Sequence, residues 1–128
     1  MRTALIGVGL GLAVALSGCG EAPPLVVHGK PVAHWVEALR DRDARVRKRA
    51  AEALGQAGPA DPAVVPALTE AVRDRDAAVR GAAVLCLLRL GPAAQEAVPA
   101  LREVAFKDRD AKVRGYAVRA LEKIQEEP

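Results

Sequence analysis

One seven-residue phrase occurs three times in this chain, and its repetition constrains the fold more than any other feature. It reads DRDARVR at 41–47, DRDAAVR at 74–80 and DRDAKVR at 108–114. The starting positions 41, 74 and 108 are 33 and then 34 residues apart. A period of this length is typical of stacked-repeat folds, in which each unit covers the apolar face of its neighbour.

Each unit has the pattern of two helices, which we name A and B. In the first B segment Val46, Ala50 and Leu54 recur at helical spacing on one face. An aspartate precedes each B segment as a predicted N-cap, and Gly58 and Gly91 stand where the first two B helices should end. Aromatic residues make up only 2% of the chain, which disfavours a sheet. The predicted A helices are 31–40, 62–73 and 93–106, and the predicted B helices are 44–57, 77–90 and 111–125.

The repeated phrase resembles the HEAT repeat family, in its bacterial form related to phycobilisome-lyase-like repeats. The most specific mark is an aspartate followed six residues later by an arginine that comes after a valine. The resemblance covers 31–125 and implies an all-α fold, a short right-handed α-solenoid of three repeats at about 31–58, 62–91 and 93–125. It also implies that the charges form a ladder between neighbouring repeats. The ladder residues are Asp41, Arg47, Asp74, Arg80, Asp108 and Arg114.

The N-terminus has the layout of an export signal: a basic tip, an apolar run and small residues before a cysteine. The stretch LSGC at 16–19 resembles a bacterial lipobox, which implies a lipoprotein signal peptide at 1–18 and a covalent lipid on Cys19. An ordinary signal peptide and an uncleaved membrane helix are the alternatives. With the lipid in place, we expect 19–30 to be a short tether. The domain would then lie outside the cytoplasm, anchored to a membrane of the bacterial cell envelope.

The residue inventory argues against an enzyme. After position 19 the chain has no serine, no asparagine, one threonine and one cysteine, Cys86, which falls on the apolar face of a B helix. His34 and Glu37 could supply two metal ligands, which is fewer than a zinc site needs. We therefore expect no metal and no cofactor besides the lipid, and no small-molecule substrate is evident. An enzyme or ligand carrier that uses His28, His34 and Trp35 is kept as a third hypothesis.

The resemblance also implies that the B helices line the concave face of the solenoid, where partners would bind. The outward B positions are mostly basic around a small apolar stripe, in which Ala78, Gly81 and Ala82 are expected. Such a face suits a protein or acidic peptide partner, because charge steers association and apolar burial supplies affinity. The residues expected to bind the partner are Arg45, Lys48, Arg49, Leu85, Arg89, Lys112, Tyr116, Arg119 and Lys123.

Other interpretations of this face remain open. It could be a solvated surface whose basic bias is chance, or it could bind anionic lipid. Nucleic acid is not expected, because an exported domain with so few aromatic residues lacks the means to stack bases. The main alternative function is a structural envelope protein that self-associates through the uncapped ends of its stack and has no separate ligand.

Overall fold

The structure, a computed structural model, describes residues 22–126. The predicted signal peptide at 1–18 and the predicted lipid attachment at Cys19 lie outside the described residues. The described part contains a two-stranded hairpin, six α-helices and one 3-10 helix. In chain order these elements are β1 (Val26–Val27), β2 (Lys30–Pro31), α1 (Val32–Ala38), α2 (Ala44–Ala57), α3 (Val64–Ala71), α4 (Ala77–Leu90), the 3-10 helix (Gly91–Ala97), α5 (Val98–Lys107) and α6 (Ala111–Gln125).

The three B helices, α2, α4 and α6, have the bounds that the sequence predicts. Each begins after a capping aspartate: the carboxylates of Asp43, Asp76 and Asp110 each accept a hydrogen bond of 2.8 Å from a backbone amide of the first turn. The first two B helices end at Gly58 and Gly91, whose φ angles are +75° and +60°. Because an L side chain is strained at such angles, glycine at these positions stops the helix at low cost.

The A helices are shorter than predicted. Pro66 and Pro99 lie in the first turns of α3 and α5, where a missing amide hydrogen costs no helical bond. The third A segment was predicted to be helical from residue 93, but Gly91–Ala97 forms a 3-10 helix with Ala94 outside helical angles. Among the described residues, the continuous helical stretch Ala77–Lys107, which comprises α4, the 3-10 helix and α5, is long and apolar enough to span a membrane by length and composition. Half of its most apolar segment is buried inside the domain.

The helices form a short all-α solenoid of three pairs, as predicted. Consecutive B helices contact one another, and each B helix packs against the A helix of its own repeat. Equivalent leucines fill the core of each pair: Leu54 and Leu87 on B helices, and Leu68 and Leu101 on A helices, are fully buried. Trp35 takes the equivalent A position in the first repeat and is also buried. One continuous core therefore runs through all three repeats.

The predicted tether at 19–30 is too long. Val26–Val27 pairs in antiparallel register with Lys30–Pro31, and Val27 is buried against the first repeat. The Trp35 indole N–H donates to the Val27 carbonyl at 3.0 Å. A buried indole needs an acceptor, and the hairpin supplies it. The hairpin therefore belongs to the folded domain and covers part of its N-terminal end.

Candidate functional site

Two arginines of the repeated phrase, Arg47 and Arg80, join neighbouring repeats. Arg47 donates from Nε and Nη2 to the two Asp74 carboxylate oxygens, at 2.8 and 3.1 Å. Arg80 donates to the two carboxylate oxygens of Asp108 in the same way, at 2.8 and 3.0 Å. The Nη1 atoms of both arginines donate to carbonyls at the turn between helices A and B of their own repeat. Each guanidinium thus holds its own turn and the next repeat together.

This ladder is shielded from solvent and shifts the titration of its carboxylates. The side chains of Arg47 and Asp108 are each only 5% exposed. Burial pushes the pKa of Asp74 up, but hydrogen bonds from Arg47 and from a backbone amide lower it more strongly, so that its pKa lies below the ordinary value. The pKa of Asp108 is lowered in the same way, with Arg80 as the donor. Both carboxylates therefore stay charged at neutral pH.

The two ends of the ladder differ from its middle. Within residues 22–126, the Arg114 guanidinium has no carboxylate within 4.0 Å and donates only to the Asp108 carbonyl, at 2.7 Å. At the other end, the Asp41 carboxylate accepts from the Asp43 amide, and no arginine of the described chain contacts it. One ladder cation and one ladder anion are thus left over, one at each end of the stack.

A groove crosses the three B helices and contains four of the residues predicted to bind a partner. Its volume is about 420 Å³. We name it the B-helix groove. The lining residues come from α2, α4 and α6 and from the cap of α6, and they are Lys48, Glu52, Ala77, Ala78, Gly81, Ala82, Leu85, Asp110, Lys112, Val113 and Tyr116. Its floor is apolar, and Leu85 is 37% exposed within it.

The groove brings together four of the nine residues predicted to bind a partner: Lys48, Leu85, Lys112 and Tyr116. The other five are exposed on the B helices outside the groove lining. Two of these contact neighbours on their own helices. Arg45 forms an exposed ion pair with Asp43 at 3.3 Å, and Arg89 donates to the Cys86 sulfur at 3.2 Å. The five residues outside the lining are Arg45, Arg49, Arg89, Arg119 and Lys123.

Gly81 and Ala82, which were expected in the apolar stripe of the open face, line the groove but expose little surface. Gly81 and Ala82 lie on α4, which is covered on both sides by α2 and α6. A Cβ built on Gly81 would be 3.7 Å from the Tyr116 ring. Helical spacing in one segment could not reveal that a central helix has two covered sides. Asp110 also lines the groove, although its position before α6 predicts only an N-cap.

The charge of the groove itself is balanced, and the basic excess lies around it. The lining holds two cations, Lys48 and Lys112, and two anions, Glu52 and Asp110, and the Lys48 ammonium lies 3.9 Å from the Glu52 carboxylate one turn along α2. The five exposed cations outside the lining carry the positive charge that the sequence indicated. The site is therefore an apolar floor with paired charges at its edge and cations beyond it.

The two histidines and Cys86 make packing contacts within the folded domain. His28 and His34 both make edge-to-face contacts with the Trp35 ring, with centroids 6.2 and 5.0 Å apart. In the part of the chain that the structure describes, no three His, Cys, Asp or Glu side chains are grouped to hold a metal ion. Cys86 is buried, and burial raises the pKa of its thiol although Arg89 opposes this. A raised pKa keeps the thiol protonated and unreactive.

The stacked pairs, the ladder and the groove define a helical repeat protein with an open lateral surface. The family described as HEAT repeats matches residues 32–122, so the chain belongs to this family. HEAT repeats generally mediate protein–protein interaction, and the family is typically a non-catalytic scaffold. A comparison with curated proteins gives no match.

Proposed function

We propose that this protein is a membrane-anchored, non-catalytic scaffold that holds a protein partner in the B-helix groove. The observation that carries the proposal is the groove itself, an open apolar depression across all three B helices. Exposed apolar surface bordered by charge is typical of a site that buries a partner's side chains. The partner we propose is an acidic peptide or helix, since Arg45, Arg49 and Arg119 are exposed beyond the groove.

The membrane attachment is proposed from the sequence. The LSGC stretch at 16–19 follows an uncharged apolar run, and a lipid on Cys19 would keep the domain close to the membrane. The folded domain begins by Leu25, whose carbonyl accepts from the Val32 amide at 3.2 Å. The linker between Cys19 and the hairpin therefore has only about five residues, which reach roughly 15–20 Å when extended.

Replacing Cys19 with alanine tests the anchor. In a bacterial host, the wild-type chain should carry a diacylglyceryl mass on its first residue and fractionate with membranes. The Cys19→Ala variant should lose both properties, while Cys86→Ala, the other cysteine variant, should keep them. A wild-type chain that is unlipidated or absent from the membrane fraction would refute the anchor and leave the groove proposal untouched.

Charge reversal tests the binding face. The variant with Arg45, Arg49 and Arg119 changed to glutamate should lose its cross-linked partner in native membranes while keeping its helical circular dichroism. The matched control reverses three exposed cations on or next to the A helices, Arg40, Arg73 and Arg102, and changes the net charge equally. The control should keep the partner. Equal capture by both variants would refute the assignment of this face, and binding only to anionic vesicles would replace the protein partner with lipid.

A further inference from the structure

Equivalent positions of the three repeats are buried in the first two repeats and exposed in the third. Four residues after the ladder arginine lie Ala51, Val84 and Val118. Ala51 and Val84 are completely buried, because the next repeat covers each of them, whereas Val118 is 46% exposed. This position therefore contributes to repeat stacking in the first two repeats, whereas in the third repeat its apolar side chain is exposed to solvent.

The last A helix carries a second exposed apolar side chain. Leu39, Val72 and Phe106 each lie two residues before the ladder aspartate. Leu39 lines a cleft of about 360 Å³ between α1 and α3, and Val72 lines the next one, between α3 and α5. Phe106 is 88% exposed, the most exposed large apolar side chain of the described residues. Counted from the buried core residue of each A helix, Leu39 and Val72 correspond to Ala105, which is partly buried, and Phe106 is the extra residue of the third repeat. A phenyl ring is still an unusual side chain for open solvent.

The charges at this end of the stack have complementary counterparts at the other end. Between the second and third repeats, Arg73 approaches Glu103 at 3.7 Å. The residue equivalent to Arg73 in the third repeat is Lys107, and the residue equivalent to Glu103 in the first repeat is Glu37. Arg114 and Asp41 are the corresponding unmatched pair of the ladder. Of these charges, Arg114 and Asp41 have no partner of opposite charge within residues 22–126, whereas Glu37 lies 3.6 Å from Arg40 and Lys107 lines the cleft between α3 and α5.

In the part of the chain that the structure describes, the N-terminal end is open beside Asp41. The hairpin covers the half of the first repeat near Trp35, at the start of α1. A depression of about 380 Å³ beside α1 is lined by His34, Glu37, Ala38, Arg40, Asp41 and Val46. Val46 is only partly buried, whereas its equivalents in the second and third repeats are covered by the preceding repeat.

We propose that a second copy of this chain docks its first repeat onto the third repeat of the first copy, head to tail. Arg114 then donates to the carboxylate of Asp41 in the second copy as Arg47 donates to Asp74, and Lys107 and Glu37 lie near this pair. Phe106 and Val118 are covered in the same step. Such a contact joins two different surfaces, so it can extend into an open series of copies. The inference does not rest on the B-helix groove, which lies along the side of the stack.

Cross-linking of the full-length chain in intact cells tests this contact. Two differently tagged copies are co-expressed, one with Glu37→Cys and one with Lys107→Cys, and a short bismaleimide is added. Cys86 is buried, and a pair of tagged chains without the new cysteines gives the background. A mixed cross-linked dimer is expected. The position control replaces Lys107→Cys with Arg75→Cys, an exposed residue of the middle repeat, and should stay at background.

A charge swap distinguishes loss of the proposed contact from loss of folding. Adding Arg114→Asp to the Lys107→Cys copy should reduce the mixed dimer several-fold. Adding Asp41→Arg to the other copy should then restore it, because the pair is re-formed with opposite polarity. The proposal is overturned by background-level cross-linking, by equal yield from the Arg75→Cys control, by lack of restoration, or by adducts to a different protein in place of the mixed dimer.

Discussion

At the residue scale, two groups of arginines on the same helices have different roles. Arg47 and Arg80 are held by a carboxylate of the next repeat and by carbonyls of their own turn. Arg45 and Arg49 lie within two residues of Arg47 on α2 and are exposed. Position along the helix therefore decides whether a guanidinium stabilises the stack or is available to a partner.

Removal of one ladder arginine should destabilise the whole domain. Arg80→Ala leaves Asp108 buried without its counter-charge, and breaking such a pair costs about 3 kcal/mol. Arg109→Ala, at an exposed position next to the same aspartate, should change the free energy of unfolding by less than about 0.5 kcal/mol. Urea unfolding followed by circular dichroism measures both. Similar small losses in the two variants would contradict a stabilising ladder.

The ladder carboxylates should make the domain sensitive to acid. The pKa values of Asp74 and Asp108 are lowered in the folded state, so their contribution is complete above the unfolded-state pKa of about 4. It is lost as the pH falls through the lower folded-state values. Thermal melting between pH 7 and pH 2 should show the wild type losing stability below about pH 4. The Asp74→Asn/Asp108→Asn variant should be less stable at pH 7 and should lose less on acidification. Parallel curves for both proteins would contradict this.

At the element scale, the B helices were easier to predict than the A helices. An aspartate cap precedes each B helix, and glycines of positive φ end the first two, so the sequence marks these boundaries. The A helices α1 and α3 begin without a side-chain cap, at Pro31 and Ala63, and their ends carry weaker signals. The same limit affects the candidate site, because helical periodicity could not show that α4 is covered on two sides.

The approach of α2 to α4 depends on the absence of a side chain at Gly55. A Cβ built there would collide with the Cys86 sulfur and would lie 2.8 Å from the Cys86 Cβ. Gly55→Ala should therefore destabilise the domain by about 1–3 kcal/mol through overpacking. Gly115→Ala, on α6 with open space around it, should stabilise by up to about 1 kcal/mol through helix propensity.

Chemical denaturation of both glycine variants tests how closely α2 and α4 pack. The double variant Gly55→Ala/Cys86→Ala should recover part of the loss, because the smaller side chain at position 86 makes room for the new methyl group. If Gly55→Ala proved as favourable as Gly115→Ala, the helices would not approach as closely as the structure describes.

At the scale of the whole molecule, the repeat number and the solenoid class follow from the sequence. Phrase spacing predicts three stacked pairs, and the structure and the family match confirm them. The role of the hairpin was not predictable, since two-residue strands carry no periodic signal and Val27 contributes through its backbone carbonyl. The groove was only partly predictable, because its lining combines residues from three helices whose relative rotation the sequence does not specify.

Photo-cross-linking tests most directly whether the side of the stack formed by the B helices binds a protein, as we propose. A photoreactive amino acid is placed at Leu85, in the groove, or at Arg102, exposed on α5, in the full-length chain in living cells. A discrete protein adduct is expected from position 85 and none from position 102. Adducts from position 102 alone, or from neither position, would contradict the proposal.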